Sequence, residues 1–271
     1  MTLSPFDAWL KSFEDKEESV LATVIEHPEK KFGRLFISSL QTIGDLGDEE
    51  LNRAVIGEAR QKLAQMNPSS DTIRFPQHEG NEIAIFLDVN LPPFELMIFG
   101  AGHDAIPVAN YAVSLGFKTT IVDQREFYNS SERFPGANRL IIRPDEFEAK
   151  LKIGPRTYIV VMNHHIERDQ ETLKFVIPSM SPYIGILGPR SRYSRMMNGL
   201  EEQGYVFEES ELSRIHNPIG LNIGAVSSEE IAISILAEVI AKKTGHDGGF
   251  LQGSSFIHHP SNRKALRGKD S

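Results

Sequence analysis

Cysteine is absent from the 271-residue chain. No disulfide can brace it, no thiolate can bind zinc, and no thiol can serve as a nucleophile. An excess of positive charge is also missing, since the formal net charge is −8. The basic residues are dispersed except in two short clusters, which argues against a nucleic-acid surface and against phosphate-backbone binding. The third absence is a long hydrophobic run. No uninterrupted segment is long enough to span a membrane, and the opening residues, with Trp9, Leu10 and Phe13 on an otherwise polar stretch, contain no apolar signal region. A cytoplasmic protein without a membrane partner is expected. At this length the chain can bury a substantial core, and two domains are the better reading.

The most informative stretch is Leu96-Met97-Ile98-Phe99-Gly100-Ala101-Gly102-His103-Asp104-Ala105, followed by Thr120-Ile121-Val122-Asp123. It reads as a buried strand, a glycine turn, a helix, and a second strand ending in a carboxylate. Gly100 permits the tight turn, Gly102 lets backbone N–H groups approach a pyrophosphate, and Ala105 allows the helix to pack close to the strand. The phosphates would meet the positive end of the helix dipole. Asp123 stands where an acid can accept hydrogen bonds from ribose hydroxyls, while Arg125 could take a 2′-phosphate, so NAD and NADP both remain open. Glycine turns also join strands to helices for steric reasons alone, and an empty doubly wound core is the alternative.

Residues 4–17 read as an amphipathic helix, with strands at 19–25, 35–40, 72–75 and 82–88 and a helix over 48–65. These make a small α+β domain over residues 1–90. Asn90-Leu91-Pro92-Pro93 cannot continue a strand ladder, so residues 91–94 form a linker. From 95 to 245 strands (96–99, 118–122, 139–142, 158–162, 183–187) alternate with helices (104–115, about 145–150, 169–179, 190–203, 228–243). That alternation predicts an α/β fold, a Rossmann-like doubly wound parallel sheet covered on both faces. The last helix has Ser227 or Ser228 as its cap, two glutamates in its first turn, and ends before Gly245. Residues 246–271 read as a coil or partner-ordered tail, with one apolar island at Phe256-Ile257. The acidic runs at 14–18 and 208–211 read as solvated faces.

Ligands of open α/β sheets bind outside the carboxyl ends of the strands. Here those ends carry Gly100-Ala101-Gly102-His103, Asp123-Gln124-Arg125, Asn163-His164-His165 and Gly188-Pro189-Arg190, all polar or glycine-rich. His103 either faces a phosphate or simply faces solvent; the dipole at that position favours a neutral imidazole. For His164 and His165 three roles compete: general acid/base, metal ligation and loop hydrogen bonding. Arg190, Arg192 and Arg195 oppose the dipole at a helix start, which points to a bound anion over a surface ion-pair network. His216-Asn217-Pro218-Ile219-Gly220-Leu221-Asn222-Ile223-Gly224-Ala225 reads as a loop. No complete metal-ligand set is evident. The cofactor-binding candidates are thus Gly100, Gly102, His103, Asp123, Arg125, Asn163, Gly188, Arg190, Arg192 and His216, with His164 and His165 as catalytic candidates.

These segments resemble the xanthine dehydrogenase accessory (XdhC/CoxI) family. The likeness is carried by Phe99-Gly100-Ala101-Gly102-His103, Val122-Asp123-Gln124-Arg125, Val161-Met162-Asn163-His164-His165, Ile184-Gly185-Ile186-Leu187-Gly188-Pro189-Arg190 and the loop from Ile215 to Ala225. Residues 1–90 correspond more loosely to the family's smaller N-terminal domain. The resemblance implies a maturation factor that binds or protects molybdenum cofactor for a molybdenum hydroxylase partner. One departure stands out: members typically carry a glycine-rich segment ending in cysteine, where this chain has Ile43-Gly44-Asp45-Leu46-Gly47-Asp48 and no thiol. A soft sulfur ligand to the metal is therefore missing, which leaves binding through pterin and phosphate. The rival functions are an NAD(P)-dependent oxidoreductase using His164 or His165 as proton donor, and a non-catalytic interaction scaffold. Assembly into a homo-oligomer stays open.

Overall fold

In the computed structural model, residues 3–65, 68–76 and 81–253 are described. The chain divides between Pro92 and Pro93 into two compact units. The tail from 254 onward, including Phe256-Ile257, lies outside the described residues; 246–253 form neither helix nor strand.

In the first unit, helix α1 (Pro5–Glu14) precedes β1 (Ser19–Glu26), β2 (Arg34–Ser38), β3 (Thr42–Asp45), α2 (Glu49–Leu63), β4 (Asp71–Pro76) and β5 (Glu82–Asn90). The sheet is antiparallel in the order β3-β2-β1-β5-β4. Helix α2 starts where the Asp48 carboxylate accepts a hydrogen bond from Leu51 N, satisfying an amide that the helix leaves unpaired. Its Leu51, Val55 and Ala59 face the sheet residues Val20, Ala22, Ile37 and Ile85 in one buried cluster. Strand β3 is absent from the sequence reading. It is a four-residue edge strand, exposed along most of its length, and its Gly44 breaks the alternation that marks a strand.

The second unit runs β6 (Glu95–Phe99), α3 (Ala105–Ser114), β7 (Lys118–Val122), β8 (Asn138–Leu140), a 3-10 turn (Pro144–Glu146), α4 (Phe147–Lys150), β9 (Thr157–Val161) and α5 (Ile166–Val176). It continues with β10 (Ile184–Ile186), α6 (Arg190–Glu202), α7 (Glu209–Leu212), β11 (Ile215–His216) and α8 (Ser228–Thr244). All strand pairs are parallel, in the order β11-β10-β9-β6-β7-β8. The chain winds outward from β6 through β7 to β8, then crosses back to β9 and winds the other way. This is the Rossmann order, with its switch point between β6 and β9.

Alternation along the central strands makes two cores. Leu96, Ile98, Tyr158 and Val160 join α3 and α8 on one face, and Met97, Phe99, Ile159 and Val161 join α4, α5 and α6 on the other. Helix α8 has the expected ends: Ser227 Oγ accepts from Glu230 N, the Glu230 carboxylate accepts from Ser227 N, and Gly245 closes the helix at φ +70°.

Two local expectations need correction. Helix α5 begins at Ile166, three residues before its predicted start, because His165 takes the cap position without a side-chain cap bond. His216 is not in a loop: with Ile215 it forms β11, paired to Ile184 and Gly185, and the loop begins only at Asn217. The acidic run at 208–211 is mostly exposed, in line with a solvated face, and leads into the one-turn helix α7, started by a reciprocal Glu208/Glu211 capping box.

Candidate functional site

The glycine turn after β6 is shaped by its neighbour β9. Gly100 has φ +115°, and a Cβ there would stand 2.5 Å from the Met162 carbonyl oxygen, so no other residue fits without moving backbone. Gly100 N donates to Val122 O at 2.9 Å, and Ala101 N donates to Asp123 Oδ2 at 2.8 Å. The next four amides, from Gly102 to Ala105, find no acceptor among the described residues. Four consecutive free N–H groups at the start of α3 can serve an anion.

Asp123 lies at the end of β7, as predicted, but its carboxylate is already engaged. Oδ1 accepts from Arg125 N and Nε, each at 2.9 Å, and Oδ2 accepts from Arg125 Nη2 at 2.6 Å besides Ala101 N. Burial pushes its pKa up, and these donors outweigh that, leaving it below the usual carboxylate range. Asp123 therefore braces the glycine turn and holds Arg125, whose guanidinium also stacks on Tyr128.

Across the switch point, His164 adopts φ +62°, a left-handed conformation uncommon for a residue with a side chain. Its imidazole lies against the open side of Gly102, where a Cβ would come 3.2 Å from His164 Cδ2 and Nε2. His164 Nε2 is also 3.6 Å from Asp104 Oδ2, and Asp104 Oδ1 accepts from Ser228 Oγ at 2.6 Å. The space that glycine leaves above the turn is thus occupied by this chain's own histidine, with an acid beside it at the helix start. His103 and His165 are exposed, and His103 sits in the bend just before α3.

Asn163 and Arg192 converge on a buried acid of α5. Asp169, 1% exposed, accepts from Asn163 N at 3.1 Å and Nδ2 at 3.0 Å and pairs with Arg192. An internal acid accounts for Arg192, whereas Arg190 is exposed at the start of α6. Gly188 has φ +116°, with Arg192 Cδ 3.0 Å from where its Cβ would be. Between the ends of β7 and β9 lies a small open depression bordered by Asp123, Gln124, Pro144, Phe147, Asn163 and Arg168.

His216 stands apart at the sheet edge. Its Nδ1 is 2.9 Å from Glu238 Oε1, and Glu238 Oε2 accepts from Tyr183 Oη at 2.6 Å and Gly220 N at 2.7 Å. The His216 and Tyr183 rings pack at 4.6 Å. Asn217 Nδ2 donates to Ile186 O and Gly188 O, tying the following loop to the end of β10. Sequence reasoning missed Asp104, Tyr183 and Glu238; only Asp104, adjoining the glycine motif, carried a signal. Among the described residues no three His, Cys, Asp or Glu side chains gather as a metal site, and no helix is long and apolar enough to cross a membrane.

Comparison with known proteins matches residues 96–239 to the XdhC Rossmann domain. The chain is 33% identical over 179 residues to a protein of Bacillus subtilis (strain 168) described as a probable xanthine dehydrogenase subunit; the match covers 66% of this chain and 51% of that protein. It is 26% identical over 148 residues to the molybdenum cofactor insertion chaperone PaoD of Escherichia coli (strain K12), covering 55% of this chain and 40% of that protein. The chain thus spans about half the length, or less, of these curated relatives. The crystal structure of a xanthine dehydrogenase from Bacillus halodurans shares the fold, with a TM-score of 0.50 at 20% identity over 89% of this chain and 96% of that one. Because the family match alone takes in more than half of the 271 residues, the chain belongs to the xanthine dehydrogenase accessory (XdhC) family and carries that family's Rossmann domain.

Proposed function

We propose that the chain is a maturation factor for a molybdenum hydroxylase, holding a phosphate-bearing ligand, a dinucleotide or the molybdenum cofactor itself, in the crevice above β6 and β9. The observation that carries this reading is the run of four unpaired amides from Gly102 to Ala105 at the start of α3. They fit the phosphate of the cofactor, while the absence of cysteine and of any three-residue metal cluster among the described residues means that the chain offers the metal neither a thiolate nor a closed cage. Two relatives, one named for molybdenum cofactor insertion and the other for xanthine dehydrogenase, support the same role. In this reading Arg190, exposed at the start of α6, supplies a second anion contact. Asp123, accepting four hydrogen bonds within the chain, serves the turn first, and the outer edge of Arg125 meets a ribose or its 2′-phosphate.

The test is calorimetric titration of the whole chain with ADP-ribose, NAD and NADP, together with mass spectrometry and molybdenum analysis of the chain purified from cofactor-making cells. Saturable binding that disappears in Gly102→Val is expected. Neither binding nor any co-purified cofactor would end this reading. A second reading, an NAD(P)-dependent oxidoreductase with His164 as proton donor, is favoured by Asp104 lying 3.6 Å from His164 Nε2. A substrate-dependent change in nicotinamide absorbance, lost in His164→Ala, would favour it over the first.

A further inference from the structure

The polar cluster at the β11 edge does nothing for the amides of α3, and its construction is not what stability alone would select. Glu238 sits in the middle of α8 with its side chain 12% exposed, and apolar side chains there would join helix to sheet at less cost. Instead the carboxylate collects three donors: His216 Nδ1, Tyr183 Oη and Gly220 N. Burial pushes the Glu238 pKa up, yet these donors outweigh it and keep the group below the usual carboxylate range. Gly220 reaches the carboxylate at φ +101°, where a Cβ would collide with Ser234 Oγ at 2.3 Å.

All of this fixes one ring. A carboxylate can only accept, so a neutral His216 carries its single ring proton on Nδ1 and presents the lone pair on Nε2. Tilted packing against Tyr183, with ring centroids 4.6 Å apart, restrains the ring, and Tyr183 is itself held by Glu238. Nε2 has no partner among the described residues, although the side chain keeps 17% of its surface exposed at the edge of the sheet. Histidines that ligate metals are built in this way, with the other ring N–H donated to a carboxylate that orients the ring and raises its basicity. The chain gathers no three such ligands among the described residues, so it would not hold a bare ion here. A single imidazole can, however, complete the coordination sphere of a metal that arrives with its other ligands.

We propose that His216 Nε2 is a ligand for the metal of an incoming metal complex, with Glu238 and Tyr183 as the residues that position it. The proposal rests on the cofactor-handling function above and names the atom through which a chain without cysteine would touch the cofactor's metal. The exchange balances without redox chemistry: the Nε2 lone pair forms the bond to the metal, a labile water leaves, and neither proton nor electron moves.

The probe is copper(II) iminodiacetate, which keeps three of its ligands and leaves positions open for an imidazole. It is titrated into the whole chain labelled with ¹⁵N in the histidine rings and followed by NMR. The His216 ring signal should broaden at concentrations about tenfold below those that affect an exposed histidine such as His246, and Glu238→Gln should weaken that response by about 10–100-fold. Tyr183→Phe should weaken it less, and His216→Gln should remove it with the other histidine signals unmoved. Broadening of His216 only together with the exposed histidines, or an unchanged response in Glu238→Gln, would overturn the proposal. Molybdenum content of the chain purified from cofactor-making cells separates the two ideas. Content unchanged in His216→Gln removes the proposal and leaves the maturation function standing. A copper response at His216 in a chain that never carries cofactor supports the metal-ligand site and removes the function.

Discussion

Two histidines of the C-terminal unit each meet a carboxylate, under opposite conditions. At the sheet edge, His216 lies 2.9 Å from Glu238, is 17% exposed, packs against the Tyr183 ring, and shares its acid with two other donors. At the switch point, His164 stands 3.6 Å from Asp104, is 50% exposed, and holds a left-handed backbone over Gly102. The first pair is built into the packing, so its ring has one place to be. The second is a loose contact on a strained residue, so its ring can leave. A fixed imidazole suits a ligand that must be met in one geometry, and a displaceable one suits a crevice that must open to admit a phosphate.

Removing the acids gives the largest contrast. Glu238→Ala leaves Tyr183 Oη, Gly220 N and His216 Nδ1 without their acceptor. An unsatisfied buried donor costs roughly 1–3 kcal/mol, so with partial solvent access a loss of about 3 kcal/mol is expected in urea unfolding. Asp104→Ala breaks a half-open contact and should cost under about 1 kcal/mol, apart from the Ser228 hydroxyl it also releases. Equal losses at the two sites would erase the distinction.

The histidines themselves come next. His216→Ala should destabilise by about 1–2 kcal/mol, since it deletes a packed ring and a hydrogen bond to a charged group. Near-ultraviolet circular dichroism should report the altered surroundings of Tyr183. An unmoved unfolding midpoint would mean that the ring is not held as described.

Acidity offers a smaller effect of defined sign. Because Glu238 is held below its unfolded value, its contribution is present above the ordinary glutamate pKa and is lost as pH falls through the lower folded value. The chain should therefore weaken on acidification below about pH 4.3, and Glu238→Gln should flatten that limb. Asp123 is lowered too and keeps part of the slope in the variant. A limb of identical steepness in both proteins would show that the charge on Glu238 contributes no differential stability.

Much of the first site was legible from residue order, and almost none of the second. Leu96 to Phe99, the glycines and Asp123 announce a strand, a turn and a strand end because each obeys a local rule of burial or backbone freedom. What Asp123 bonds to was hidden, since Ala101 N reaches it only once β6 and β7 lie side by side. Arg192 pointed to an anion, but its partner Asp169 lies on another helix and sequence spacing carries no trace of it. Glu238 looks like any polar residue of an amphipathic helix. His216 was read as loop because Asn217-Pro218 ends a strand only two residues long. Tertiary pairing decides such residues, and a sequence shows it only where the pairing partners are neighbours.

The smallest effect is also the one that bears most directly on the crevice. Replacing His164 by glycine removes a left-handed side-chain residue, which should gain about 1–2 kcal/mol locally, and it loosens the unfolded chain, which offsets about 0.4–1 kcal/mol of that gain. The net result should lie between no change and a gain of about 1.6 kcal/mol, opposite in sign to His216→Ala. The same substitution clears the open side of Gly102, so ADP-ribose should bind several-fold more tightly if the amides of α3 are its site. Gly102→Ala makes the comparison independent of strain. Its Cβ would press on the imidazole at 3.2 Å, and the half-exposed ring can turn aside, so the cost to stability should be small and should vanish in the His164→Gly background. A loss above about 1 kcal/mol for His164→Gly, beyond what glycine's unfolded-state entropy accounts for, would mean that this ring props the turn as firmly as His216 is itself held, and that the phosphate must find its amides with the imidazole in place.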